Sequence, residues 1–291
     1  MNNYPLISIL LPAYNHEQFI SRTLDSILAD NYPNKELIII DDGSTDNTGK
    51  ILEKWIEEHK NHFKIIFESR NNKGVTSTLN DLINLCSGEY LVFIHSDDYL
   101  LQDGIIKRYL YLCRNTDKSA VFADCIVVDG ENRLITESGL TGFYNADKRK
   151  LYADESLKKE IISNWSVPGG TLMVKKKVYD SFKYNPHYLV EDLDFYLRMS
   201  SLNQIGFLDE KVSAYRVHGN NTCLLDENFV KVRKALVHSL IRNSKYFPLN
   251  YKLLSYLSMI KYYKRILYYQ FKKEIKKTLK LFTQDKKCLT L

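Results

Sequence analysis

Tyr90-Leu91-Val92-Phe93-Ile94 runs directly into His95-Ser96-Asp97-Asp98. A continuous apolar run this short has the pattern of a strand covered on both faces, as in a parallel sheet. It ends on two adjacent carboxylates, and open α/β sheets bind ligands in the crevice outside the carboxyl ends of their strands. Paired acids there suit a hard divalent cation, which in turn suits a diphosphate.

The flanking sequence repeats this arrangement. Leu6-Ile7-Ser8-Ile9-Leu10-Leu11 is a second buried-strand pattern, ended by Pro12-Ala13-Tyr14-Asn15. From Glu17 onward, Phe19, Ile20, Leu24, Ile27 and Leu28 recur at helical spacing. Leu37–Ile40 reads as the next strand and stops at Asp41-Asp42-Gly43-Ser44-Thr45-Asp46, where Asp46 or Thr45 is placed to cap the following helix. Phe63–Phe67 is a third strand, and a helix opening at Lys73 or Thr76 is expected to close with Gly88 in its C-terminal cap. Strict strand–helix alternation predicts a mostly parallel sheet flanked by helices. A helix over 103–113 and a strand over 120–128 continue it. The pattern loosens after Asp129. Trp165-Ser166-Val167-Pro168-Gly169-Gly170-Thr171 then leads into a strand at 172–174, a helix covers about 190–202, and a strand over 212–217 ends at His218. From about 225 the chain reads as helices.

Composition bounds the function. At 291 residues, 44% hydrophobic and 26% charged, the chain has material for one large core or a core plus an extension. Five cysteines without a Cys-x-x-Cys spacing predict reduced thiols and no zinc cluster. The N-terminal apolar run stops at Pro12 and reads as a strand, not a leader, and no run approaches the roughly 18 residues of a membrane span. We therefore expect a cytoplasmic location. The net charge of +6 is uneven: from Lys245 to the end there are 12 Lys/Arg against 2 Asp/Glu, leaving the remainder at −4. A nucleic-acid-binding body is thereby disfavoured.

Two strand tips now carry acid pairs, at 41–42 and 97–98. Unpaired, such charges would raise each other's pKa, so a cation or hydrogen-bond donors must lie between them. No Walker loop and no G-x-G-x-x-G is present to cradle phosphates. A metal must take that work.

Pro12-Ala13-Tyr14-Asn15, Asp41 to Asp46, Asn72-Lys73-Gly74 with Asn80, Gly88-Glu89-Tyr90, Ser96-Asp97-Asp98, Glu191-Asp192 and Tyr215-Arg216-Val217-His218 occur in this order. Together, over residues 5–222, they resemble the inverting family 2 glycosyltransferases of the GT-A fold that act in bacterial surface-polysaccharide synthesis. The resemblance implies an α/β GT-A domain over 1–222, with a donor half to about 128 and an acceptor half from about 129. Residues 223–291 would form a basic, Tyr-rich helical extension. It implies that Pro12, Tyr14 and Asp42 hold the nucleotide base of a UDP-hexose or UDP-N-acetylhexosamine donor, with Asn72 and Lys73 at the border of the pocket. Ser96, Asp97 and Asp98 match the D-x-D region that binds ribose and Mn²⁺ or Mg²⁺. Asp97 is favoured over Asp98 as the metal ligand, and His218 is a further one. The commonest form of that region is Asp-Ser-Asp-Asp, so His95 is a departure that alters the donors offered to the ribose.

By the same resemblance Asp192 is the base that takes the proton from the acceptor hydroxyl, and Glu191 orients acceptor or base. Read without it, Glu191-Asp192-Leu193-Asp194 is also a good acidic helix start, worth about 0.3–1 kcal/mol through the helix dipole; Asp194 is expected to face solvent or cap the helix. Arg216 and His218 are candidates to meet the charge of the leaving diphosphate. Trp165, Gly169 and Gly170 precede the base and are candidate acceptor contacts, Trp165 being equally at home in a core. The acceptor would be a glycan or lipid-linked glycan. Two other classes fit some of the residues: a sugar nucleotidyltransferase, which would want a Gly-rich basic phosphate loop absent here, and a non-catalytic nucleotide-sugar binder, suggested by His95.

Leu253, Leu257, Ile260, Leu267, Phe271, Ile275, Leu279 and Phe282 form a helical stripe broken by Lys264, with tyrosines and lysines around it. Packing on the catalytic domain, self-association and an anionic inner membrane surface are its three readings.

Overall fold

The computed structural model describes residues 4–186, 192–219, 221 and 225–288, with 277–288 as backbone. In chain order the regular elements are β1 (Ile7–Ala13), α1 (Ile20–Ala29), β2 (Lys35–Asp41), α2 (Thr48–His59), β3 (Lys64–Ser69), α3 (Val75–Leu85), β4 (Tyr90–Phe93), β5 (Tyr99–Leu100), α4 (Gly104–Arg114), β6 (Ala120–Val128), β7 (Leu134–Thr136), α5 (Asp154–Ser163), β8 (Met173–Lys175), α6 (Asp192–Ser201), β9 (Ile205–Arg216), α7 (Phe229–Asn243) and α8 (Leu249–Cys288).

One sheet runs in the order β3-β2-β1-β4-β8-β6-β9-β5, with β7 paired to β6. The first four strands are parallel, as predicted: β1 pairs with β2 and β4, and β2 with β3. Beyond β4 the sheet is mixed. The short β8 enters antiparallel between β4 and β6, β9 runs parallel to β6, and β5 closes the edge antiparallel to β9. Because β1 lies between β2 and β4, the chain leaves it in one direction and returns on its other side. The crevice of a doubly wound sheet opens at such a switch point.

Alternate residues of the inner strands feed two cores. Ile7, Ile9 and Leu11 pack with Ile20, Leu24 and Ile27 of α1, Leu52 and Trp55 of α2, and Ile105 and Leu112 of α4. Leu10, Ile38 and Ile40 face the other way, onto α3 and the layer built from α5, α6, α7 and α8. The period-2 side-chain alternation of a strand, together with cover on both faces, is why β1 and β2 read as unbroken apolar runs. The helical extension expected from 223 shares this core: Val237 of α7 and Tyr251, Met259 and Tyr262 of α8 belong to the same apolar cluster as Leu10 and Phe93.

Three local expectations change. Gly88 is not a helix cap, since α3 ends at Leu85 with Cys86 N–H donating to the Leu82 carbonyl. Gly88 instead lets the chain pass against β1, where an added Cβ would come within 2.7 Å of the Ser8 nitrogen. The same helix opens at Val75 after Gly74, whose φ of 86° is in the left-handed region that glycine adopts without strain. Ahead of α2 the N-cap position is Asn47, and Asp46 Oδ1 accepts from Thr48 N–H at 2.9 Å.

Candidate active site

The loops after β1, β2 and β4 and the end of β9 converge at the crevice mouth. His16 comes from the first, Asp97 from the third and His218 from the last. His218 Nε2 lies 3.1 Å and His16 Nε2 3.8 Å from Asp97 Oδ2. The three donor atoms all lie within 4.8 Å of one another, close enough to share one ion. Two imidazole nitrogens and one carboxylate oxygen leave further coordination positions open, so these side chains fit a divalent metal. The surroundings hold the ligands in place. His16 Nδ1 is 2.7 Å from Ser96 Oγ, which with Nε2 unprotonated makes Nδ1–H the donor. Asn221 Oδ1 accepts from His218 N–H at 2.6 Å while its amide donates to the Arg216 carbonyl.

The two acids of the motif do different things. Burial would raise the Asp97 carboxyl, but the His218 hydrogen bond and the imidazoles of His16, His95 and His218 hold it below its ordinary value. Asp98 is buried, and burial together with the Asp97 charge pushes it well above the carboxylate range. Its Oδ1 accepts from Arg216 N–H at 2.8 Å, which ties β9 to the β4 loop. Asp97 and His218 thus meet as expected, and Asp98 lies beneath them, outside the cluster. Burial also lowers His16, with Asp97 opposing, which favours its neutral ring.

Arg216, expected at the diphosphate, is turned inward and bonded to protein groups. It is only 1% exposed. Its Nε donates to the Asp97 carbonyl at 2.7 Å and Nη1 to Asn132 Oδ1 at 2.8 Å, with the guanidinium 4.8 Å over the Phe19 ring. It braces the Asp97 turn from below.

On the β2 side, Asp42 is buried at the strand tip. Its Oδ1 accepts from Arg70 Nε and Lys73 N–H, both at 3.0 Å, and its Oδ2 from Gly74 N–H at 2.8 Å. Arg70 continues to Thr78 Oγ1 at 2.8 Å and to Asp81. Asp42 is therefore the hub that shapes the 70–74 loop, and Asn72 and Lys73 stand exposed on that loop beside it. Gly43, with φ 82°, makes the approach possible: a Cβ there would meet the Asn72 nitrogen at 2.7 Å. Pro12 is buried at the tip of β1, while Tyr14 is 45% exposed just beyond it.

Helix α6 begins at Asp192; Glu191 lies outside the described residues. Asp192 Oδ1 accepts from Leu193 N–H at 2.7 Å. Burial pushes its carboxyl up to about 6, with the Asp194 charge adding and backbone hydrogen bonds opposing. Asp194 neither faces solvent nor caps the helix. It is buried, accepts from Asn243 Nδ2 at 2.6 Å and pairs with Arg242, joining α6 to α7. Trp165 is half-buried, edge-on to Tyr196 of α6 at 4.8 Å between ring centroids, so its ring is part of the wall that packs this helix. Gly169 sits against the His95-to-Asp98 turn: an added Cβ would lie 3.7 Å from the His95 ring and 3.8 Å from Asp98 Oδ2. Gly170, with φ 71°, turns the chain into β8.

Sequence reasoning missed His16 and Arg70. His16 follows the Pro12-to-Asn15 motif by one residue, and its place at a strand's carboxyl end was the available signal. Arg70 sits in a polar loop with nothing local to mark it.

The family model described as glycosyl transferase family 2 matches residues 8–181. An uncharacterized glycosyltransferase of Haemophilus influenzae is 32% identical over 76% of this chain and 68% of its own. Chondroitin synthase of Escherichia coli is 28% identical over 86% of this chain, which spans only 35% of that enzyme. Among solved structures, the mannosyltransferase PcManGT from Pyrobaculum calidifontis, in complex with GDP-Man and Mn²⁺, superposes with a TM-score of 0.67 over 89% of this chain and 70% of its own at 16% identity. S. aureus TarS in complex with UDP-GlcNAc superposes at 0.60 over 82% of this chain and 70% of its own at 17% identity. These last two likenesses are of fold.

Proposed function

Given that the chain belongs to glycosyl transferase family 2, we propose that it transfers a hexose or N-acetylhexosamine, with inversion, from a UDP-sugar to a hydroxyl of a glycan or lipid-linked glycan in surface-polysaccharide synthesis. The observation that carries this reading is the His16–Asp97–His218 cluster at the switch point, beside the loop that Asp42 shapes. In this reading Tyr14, Pro12 and Asp42 with the 70–74 loop hold the base, and Ser96 and Asp97 border the ribose. Asp192 accepts the proton of the acceptor hydroxyl as its oxygen bonds to the anomeric carbon and the sugar–diphosphate bond breaks, its electron pair leaving with the nucleoside diphosphate. A carboxyl pushed up to about 6 is a stronger base than an ordinary aspartate and is still ionised at neutral pH. A divalent ion held by His16, Asp97 and His218 supplies neutralisation of the leaving diphosphate. Mixed imidazole and carboxylate donors suit Mn²⁺ better than Mg²⁺, which prefers oxygen ligands.

The testing experiment incubates the protein with UDP- and dTDP-sugars and Mn²⁺, with and without EDTA. Release of UDP in the presence of Mn²⁺, abolished by EDTA, is the expected result. Sugar release that EDTA leaves intact overturns the metal assignment, and no turnover or Mn²⁺-dependent binding of any donor overturns the reading as a whole.

A further inference from the structure

The long helix α8 has two apolar faces, and among the described residues only one is packed against the molecule. Tyr251, Ser255, Ser258, Met259, Tyr262 and Ile266 are buried against the molecule. Leu253, Leu257, Ile260, Leu267, Phe271 and Ile275 are all exposed, at 43% or more. At about 100° per residue these six fall within roughly 40° of one line, opposite the buried face, and the stripe runs for ~33 Å at ~1.5 Å per residue. An apolar stripe of this length on a surface marks an interaction site.

Charge decides what covers it. Between 249 and 276 the chain carries seven basic residues and a single acid, Glu274. Lys261, Arg265, Lys272 and Lys276 lie within about 80–140° of the stripe's axis on one side, by the same helical geometry. Against a second copy of α8 these flanks would set like charge against like, and Lys264 would be buried mid-stripe. Against an anionic bilayer every lysine is attracted, and Lys264 reaches the headgroups by extending its stem along the apolar surface. Tyr256, Tyr263 and Tyr268 are also exposed along the border of the stripe, where amphipathic rings favour the membrane interface. Among the described residues no helix is long and apolar enough to cross a membrane. We propose that α8 lies in the plane of an anionic membrane surface, with the Leu253-to-Ile275 stripe in the acyl boundary and its basic flank on acidic headgroups. This goes beyond the proposed reaction and does not depend on it.

The test is cosedimentation of the full chain with phosphatidylglycerol vesicles against pure phosphatidylcholine vesicles. Binding to the first, weak binding to the second and release by salt are expected. The combined variant Leu257→Ser, Ile260→Ser, Leu267→Ser should lose binding with an unchanged melting temperature, because these side chains are exposed in the folded protein. Lys261→Gln and Lys272→Gln should each weaken binding about fivefold at low salt. Vesicle binding that the triple variant retains overturns the proposal. So does a concentration-dependent dimer that the triple variant breaks while the parent ignores vesicles, since that would make a second copy the occupant.

Discussion

Burial pushes the Asp192 carboxyl up to about 6, a shift that bears on stability and, in the proposed reaction, on rate. If Asp192 is the base, kcat/KM rises with pH along an acidic limb near 6, and Asp192→Asn lowers turnover about 10²–10⁴-fold with little change in donor KM. The folded pKa lies above the unfolded one. The stability this group contributes is therefore fully present below the ordinary aspartate value and is lost as pH rises through about 6. Asp192→Asn should accordingly melt higher than the parent at pH 8, with the difference gone near pH 4. Melting curves at the two pH values check this. An equal melting temperature at both, together with near-normal turnover, would remove Asp192 from the reaction.

At the scale of elements, close approaches set the frame around the site. Gly88 lies against β1, and Gly88→Ala would drive a Cβ within 3.0 Å of Ser8 N, Ser8 Oγ and the Leu6 carbonyl. Strand backbone cannot yield cheaply, so we expect a loss of about 1–3 kcal/mol in urea unfolding, occasionally more. Gly130→Ala, which has nothing within 4 Å, should be close to neutral and serves as the control. The α6–α7 joint is the second constraint. Asp194→Ala removes the ion pair to Arg242 and one of the two acceptors that Asn243 Nδ2 has among the described residues, and Asn243 stays buried beside the Ser239 carbonyl. A loss of about 1–3 kcal/mol follows from the broken hydrogen bonds, measurable as a lower urea midpoint at unchanged slope.

Across the whole molecule, the His16–Asp97–His218 cluster joins three segments widely spaced in the chain. His16 follows β1, Asp97 follows β4 and His218 follows β9. An ion bound by all three stabilises only the folded chain, by about 2.7 kcal/mol at a hundred times its Kd. We expect Mn²⁺ to raise the melting temperature, EDTA to reverse it, and His16→Ala, Asp97→Asn or His218→Ala each to remove most of the shift. A full shift in His16→Ala would reduce His16 to a packing partner of Ser96 and Phe19.

The inner strands and the acids at their tips were legible along the chain because their signals are local. Unbroken apolar runs report cover on both faces, and Asp41-Asp42 and Asp97-Asp98 adjoin the strands that carry them. The family followed from the order of such motifs. Other features depend on pairings that leave no local period: β8 is three residues long and takes its place between β4 and β6 through hydrogen bonds to both. His16 meets Asp97 across 81 residues of chain, and Arg216 turns inward because the Asp97 carbonyl and Asn132 receive it there. Sequence also showed that α8 had an apolar stripe, but a stripe alone does not say whether it is covered. Folding settled that by packing the opposite face onto the core, since a helix can bury only the side that meets its neighbours.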